Sequence, residues 1–218
     1  LEDAVEFADN PEPRCPCVLL LDTSGSMQGA AIQALNEGLR VFRDEVSADP
    51  VAARRVEVAI VTFDSEVTVR QDFVNPDAWT PGTLEAEGLT HMGEGIQKAL
   101  DLVEARKSRY RSNGIAYYRP WVFLITDGAP QGESEAVVEA ATRRLHDEEA
   151  ARRVAFFAVG VEGADMDRLG KIVVRTPLKL KGLSFRELFI WLSASMAQVS
   201  QAKPDEQVPL PAVGWAAV

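Results

Sequence analysis

Residues 18–21, 121–126 and 154–159 read VLLL, WVFLIT and VAFFAV, three short runs with almost no polar position. A strand with one wet face alternates apolar and polar residues. Unbroken runs of this length therefore predict strands covered on both faces. Between them, apolar residues recur at helical spacing. Ile32, Leu35, Leu39, Phe42 and Val46 predict a helix over residues 27–46, closed by Asp49-Pro50. Ile96, Leu100 and Val103 predict another over 92–109. Residues 134–150 form a third, and Leu188, Leu192 and Met196 mark a last one over 185–199. Val56, Val58, Ile60 and Val61 mark a further strand ending near Phe63. Asp64-Ser65 turns the chain, and Val67 and Val69 alternate into the next strand. So close a return predicts an antiparallel hairpin. Residues 74–89 contain Pro76, Pro81, Gly82 and Gly88 and read as a loop. Residues 173–180 read as one more strand.

Buried strands alternating with helices predict a three-layer, doubly wound α/β fold. Its central sheet is mostly parallel with one antiparallel edge strand, and helices cover both faces. The chain divides into a lead-in over residues 1–16, a domain over 17–201 and a proline-containing tail over 202–218. With 218 residues, one large domain is the natural reading. In such sheets ligands gather at the carboxyl ends of the strands, so function is to be sought there.

Charge and cysteine usage narrow the setting. A formal net charge of -10 argues against nucleic acid, whose phosphates need a basic face, and against an anionic membrane surface. No apolar run is long enough to span a bilayer. Cys15 and Cys17 flank Pro16, and a disulfide across so short and stiff a link would be strained. They are expected as reduced thiols, which favours a reducing, cytoplasmic location. The N-terminal residues do not follow the order of a secretory signal.

Three segments place oxygen-bearing side chains where the elements end. Asp22-Thr23-Ser24-Gly25-Ser26 follows VLLL. Thr126-Asp127-Gly128 closes WVFLIT. Gly88-Leu89-Thr90 precedes a helix. Two carboxylates and three hydroxyls, from Asp22, Asp127, Ser24, Ser26 and Thr90, make a hard-oxygen set. It suits Mg²⁺, with Mn²⁺ or Ca²⁺ as chemically admissible alternatives. Ser24 and Ser26 also stand where they could cap the next helix. Asp64-Ser65 reads as turn chemistry, and Asp147-Glu148-Glu149 as a solvated helix face. Phe189 and Trp191 read as core. For Trp215, folding back onto the domain and binding elsewhere both stay open.

In their order and context, D-x-S-G-S, Gly-Leu-Thr and Thr-Asp-Gly resemble the von Willebrand factor A domain and its metal-ion-dependent adhesion site. The resemblance spans about residues 17–200. It implies Asp22, Ser24 and Ser26 as loop ligands, Thr90 as the ligand of a second loop, and Asp127 as a ligand often acting through water. It also implies an open metal position that takes an Asp or Glu of a partner protein. LLLDTSGSM, GLTHMGEGI, RPWVFLITDG and LKLKGLSFRELFIWLSASM are similar to the bacterial, intracellular TerY-like branch, linked to tellurium resistance and stress. That branch implies a protein kinase and a protein phosphatase as partners. His91 departs from it, standing where the branch has proline.

A non-enzymatic binding module is thus expected. A phosphatase of the haloacid dehalogenase type would need a second Asp two residues after Asp22, where Ser24 stands. Neither a phosphate-cradling G-x-x-x-x-G-K-[ST] loop nor a G-x-S-x-G elbow occurs. An extracellular adhesin would share the metal site but should carry an export signal.

Overall fold

A computed structural model of the chain describes residue 7, residues 9–204 and residues 206–217. Among the described residues seven strands form one sheet: β1 (Cys15–Asp22), β2 (Val56–Phe63), β3 (Val67–Val74), β4 (Trp121–Thr126), β5 (Ala155–Gly160), β6 (Leu178–Leu180) and β7 (Ala216–Ala217). Their order across the sheet is β3-β2-β1-β4-β5-β6-β7. Strands β2, β1, β4, β5 and β6 run parallel to one another, and β3 turns back antiparallel on β2. The expected three-layer, mostly parallel architecture is the one adopted.

Among the described residues, helices α1 (Ala30–Ala48), α2 (Ala52–Arg55), α3 (Met92–Ser112), α4 (Glu135–Ala150), α5 (Met166–Ile172) and α6 (Phe185–Gln201) pack on the sheet. Period-two geometry sorts the β1 run between two cores. Leu19 and Leu21 join Leu35, Leu39, Phe42, Phe185, Leu188 and Leu192 beneath α1 and α6. Val18 and Leu20 join Ile96, Leu100, Val138 and Leu145 beneath α3 and α4. Every residue of β1 and β2 is buried, as the unbroken apolar run VLLL requires of β1. Cys15 and Cys17 are free thiols on the α1/α6 face. Burial pushes the Cys15 thiol up to about 12.

Several boundaries differ from the sequence reading. Residues 25–27 form a 3₁₀ turn, and α1 begins only at Ala30, because Gly29 takes a φ of 80° there. Of residues 173–180 only Leu178–Leu180 is strand. Just before them lies α5, whose apolar face is two residues, Leu169 and Ile172, too few to register as a period. Asp165 caps it by accepting from Arg168 N at 2.9 Å. Residues 1–6 and 8 of the lead-in lie outside the described residues. The tail returns to the sheet as β7, antiparallel to β6. Trp215 is buried edge-on against Trp191, with ring centroids 5.6 Å apart, and Trp191 Nε1 donates to Pro211 O at 2.9 Å.

At the strands' amino ends lies a buried ionic group that the sequence reading did not find. Glu57 accepts from Arg14 Nε at 2.8 Å and from Arg106 Nε at 2.7 Å, and all three are about 1% exposed. The Tyr110 hydroxyl also donates to Glu57. The available signal was the single carboxylate inside VEVAIVTF, a strand otherwise fit for burial on both faces.

Candidate metal centre

The parallel register brings the ends of β1 and β4 together. Leu21 pairs with Ile125, so the next residues, Asp22 and Thr126, leave the sheet side by side. Asp22 is fully buried. Its Oδ1 accepts from Ser24 N at 2.8 Å and its Oδ2 from Thr126 Oγ1 at 2.5 Å. A carboxylate has about four lone-pair sites, so two remain for other partners.

From Asp22 the loop bends back through Gly25, whose N–H donates to Gly88 O at 3.0 Å. That bond ties the first loop to the second. Ser24 Oγ and Ser26 Oγ lie 3.1 Å apart, and Ser26 Oγ donates to Asp127 Oδ1 at 2.7 Å. The Ser24 side chain makes no capping bond, and Gly29, not a serine, precedes α1. The serine hydroxyls face each other and Asp127 instead.

Thr90 is buried just before α3. It exchanges backbone bonds with Gln131 at 3.0 and 2.9 Å, which pins the second loop to the loop after β4. Thr90 Oγ1 lies 3.9 Å from where a Cβ on Gly128 would stand. A Cβ at 128 would thus just touch the Thr90 hydroxyl, which places Thr90 beside the loop after β4. The structure links Asp22, Ser24, Ser26 and Asp127 through side-chain bonds, and sets Thr90 beside them through the backbone.

The donor set fits a small divalent cation. It offers only oxygen, and two of the donors are carboxylates. Mg²⁺ takes six oxygens at about 2.0–2.1 Å, which makes the edge of its octahedron about 2.9 Å. The 3.1 Å between Ser24 and Ser26 and the 2.7 Å between Ser26 and Asp127 bracket that edge. Electrostatics point the same way. Burial pushes Asp22 up to about 6, against the pull of its bonds from Ser24 and Thr126. Burial also raises Asp127. Each would be relieved by a cation at this spot.

Three supports escaped the sequence reading, the last of them Glu133. Thr126 was seen as part of a motif but not as the residue that orients Asp22. The second is the β2–β3 hairpin. Asp64 Oδ1 accepts from Glu66 N at 2.9 Å, the expected turn chemistry. Its Oδ2 also accepts from Thr23 Oγ1 at 3.0 Å, and Ser65 Oγ accepts from Leu89 N at 3.0 Å. His91 N donates to Asp64 O at 2.9 Å, a bond that proline could not make. The His91 ring lies 3.4 Å from a Glu94 carboxylate oxygen. Glu133 reaches over from the loop after β4 to accept from Gly93 N and Glu94 N at 2.7 and 3.1 Å, at the start of α3.

A cleft of about 340 Å³ lies away from this site, between the tail and the start of β5, lined by Trp121, Arg152 and Phe157. No helix among the described residues is long and apolar enough to cross a membrane.

The family described as von Willebrand factor type A domain matches residues 17–182. Among solved structures, a von Willebrand factor type A protein from Catenulispora acidiphila is similar, with a TM-score of 0.65 and 20% identity, over 85% of this chain and 43% of that one. The pilus adhesin SpaC from Lactobacillus rhamnosus GG, in its open conformation, gives 0.70 and 13%, over 87% of this chain and 31% of that one. The vWF domain of the type V pili tip protein Mfa5 from Porphyromonas gingivalis gives 0.59 and 11%, over 87% and 95%. At these identities the likeness is one of fold. This chain spans less than half the length of the first two. Among curated proteins no sequence matches the chain.

Proposed function

The chain belongs to the von Willebrand factor type A domain family, a family of protein-interaction and adhesion modules, and we propose that it is a non-catalytic binding module whose Mg²⁺ bridges to a partner's carboxylate. Asp22, Ser24, Ser26, Thr90 and Asp127 would hold the ion, directly or through water. The ion would supply one thing, a coordination position for an Asp or Glu of another protein. The rest is the chain's own work: β1 and β4 fix the carboxylates, and the hairpin and Glu133 hold the surrounding loops.

The observation that carries this reading is the spacing of the Ser24, Ser26 and Asp127 oxygens at 3.1 and 2.7 Å. Hydrolysis is the weaker reading on residue chemistry. The position two residues after Asp22 carries a hydroxyl, and His146 is engaged 3.2 Å from Ile172 O. From the resemblance to the TerY-like branch we take the rest of the proposal: a cytoplasmic assembly or regulatory factor in a tellurium-resistance or stress system, with a protein kinase and a protein phosphatase as partners.

The test is direct. Mg²⁺ and Mn²⁺ are titrated into wild type and Asp22→Ala by calorimetry, and candidate kinase and phosphatase are captured with and without EDTA. Saturable binding lost in the variant, together with EDTA-sensitive capture, is expected. Capture indifferent to EDTA and to Asp22→Ala would overturn the metal bridge. Turnover of a phosphate ester that disappears in Asp22→Ala would overturn the non-catalytic reading.

A further inference from the structure

We propose that the face bearing the metal centre selects a carboxylate presented from a basic segment, one Asp or Glu flanked by lysine or arginine. This rests on the metal-docking reading above and adds what must surround the anchor.

The observation is the sign and the pairing of charge on that face. The segments around the centre, residues 64–66, 85–94, 127–134 and 161–167, are rich in carboxylates and contain no lysine or arginine, while Arg168, the next residue, is already paired with Glu135. They are knit to the ligand loops. Glu87 N donates to Thr23 O at 2.8 Å, and Thr23 Oγ1 donates to Asp64 at 3.0 Å. A Cβ on Gly163 would stand 3.5 Å from Asp127 O, so Glu162 borders the third ligand segment. Glu66, Glu85, Glu87 and Glu162 are exposed, and none of them pairs with a cation among the described residues.

The opposite end of the sheet is arranged differently. There Glu12 pairs with Arg55, Glu57 with Arg14 and Arg106, and Glu149 with Arg119 and Arg175. Negative charge is answered by arginine there, whereas around the centre Glu94 has His91 beside it and Glu66, Glu85, Glu87 and Glu162 have no such partner among the described residues. Two protein carboxylates already match the charge of a divalent ion at the centre. An incoming acid would therefore gain little long-range attraction and would meet a negative rim. Screening extends only about 8 Å at physiological salt, so rim and flank would feel each other. Cations on either side of the partner's acid turn that repulsion into attraction and set its specificity.

The experiment uses the full chain and three labelled peptides, each with one Glu, flanked by Lys, by Ser or by Asp. Anisotropy is read in Mg²⁺ and in EDTA, at low and at physiological salt. The Lys-flanked peptide should bind about tenfold or more tighter than the Ser-flanked one in Mg²⁺, with the gap closing as salt rises. The combined Glu66→Gln, Glu87→Gln, Glu162→Gln variant should lose most of that gap. Mg²⁺ titrated into the same variant reports that it is folded and metal-competent. Mg²⁺-dependent binding with no difference between flanks, or no binding of the Lys-flanked peptide, overturns the inference and leaves the metal reading standing. Lys-flanked binding that survives both EDTA and a Glu→Gln change in the peptide overturns the metal reading itself.

Discussion

Thr126 Oγ1 sits between Asp22 and the loop that carries Asp127. It donates to Asp22 Oδ2 at 2.5 Å and accepts from Gly128 N at 3.1 Å. One hydroxyl thus sets the rotation of the buried carboxylate and the start of the third segment. Thr126→Val keeps the shape and removes both bonds. Outer partners of metal ligands are typically worth about 10- to 100-fold in affinity. The Mg²⁺ dissociation constant in Thr126→Val should therefore rise about tenfold by calorimetry, with circular dichroism unchanged, while Thr126→Ser stays close to wild type. Equal affinity in the valine variant would remove Thr126 from the site.

The buried state of Asp22 has a pH signature. Its ordinary value of 3.8 is raised to about 6, with burial as the leading cause. The neutral acid is thus favoured in the folded, metal-free protein. Its contribution to stability is fully present below pH 3.8 and is lost as pH rises through 6. The size of that shift corresponds to about 3 kcal/mol. In EDTA, Asp22→Asn should lack this component, so its advantage in melting temperature over wild type should grow between pH 4 and 7. Mg²⁺ competes with the proton, so it should stabilise wild type more at pH 7 than at pH 5. Parallel pH profiles for the two proteins in EDTA would refute the buried-acid account.

How much of this was written in the chain depends on the kind of signal. The strands were legible because burial on both faces leaves unbroken apolar runs, as VLLL and WVFLIT do. The long helices were legible because each spreads a stripe over several turns. Helix α5 and strand β7 were not, since seven and two residues show no period. The three oxygen-bearing segments stood out because each interrupts an apolar run at a strand or helix end. What orients them did not. Thr126, Asp64 and Glu133 act on residues far off in sequence, and only strand register and loop packing reveal that. The buried fate of Glu149 was hidden for the same reason. It read as one acid in a solvated run, but Arg119 and Arg175 cover it and Phe156 N donates to it at 2.7 Å.

Glu57 offers a test of stability separate from function. It lies in β2 opposite Pro16, near the amino ends of the strands, while the proposed metal centre sits beyond their carboxyl ends. Its carboxylate faces two buried guanidiniums, Arg14 at 2.8 Å and Arg106 at 2.7 Å. Glu57→Gln keeps the volume and takes away the carboxylate that both guanidiniums share. Removing one partner from a buried ion pair leaves uncompensated charge, at about 3–5 kcal/mol. For a chain of this size that is a fall of roughly 10 °C in melting temperature. Urea unfolding should show the loss, while the folded fraction keeps its Mg²⁺ affinity. Replacing all three charges with apolar residues of similar volume should recover much of the loss, because desolvation of ions and their attraction largely offset each other in such sites. A Glu57→Gln protein as stable as wild type would mean that the two arginines reach water or other acids without it. A stable variant with weakened Mg²⁺ binding would mean that the two ends of the sheet are coupled.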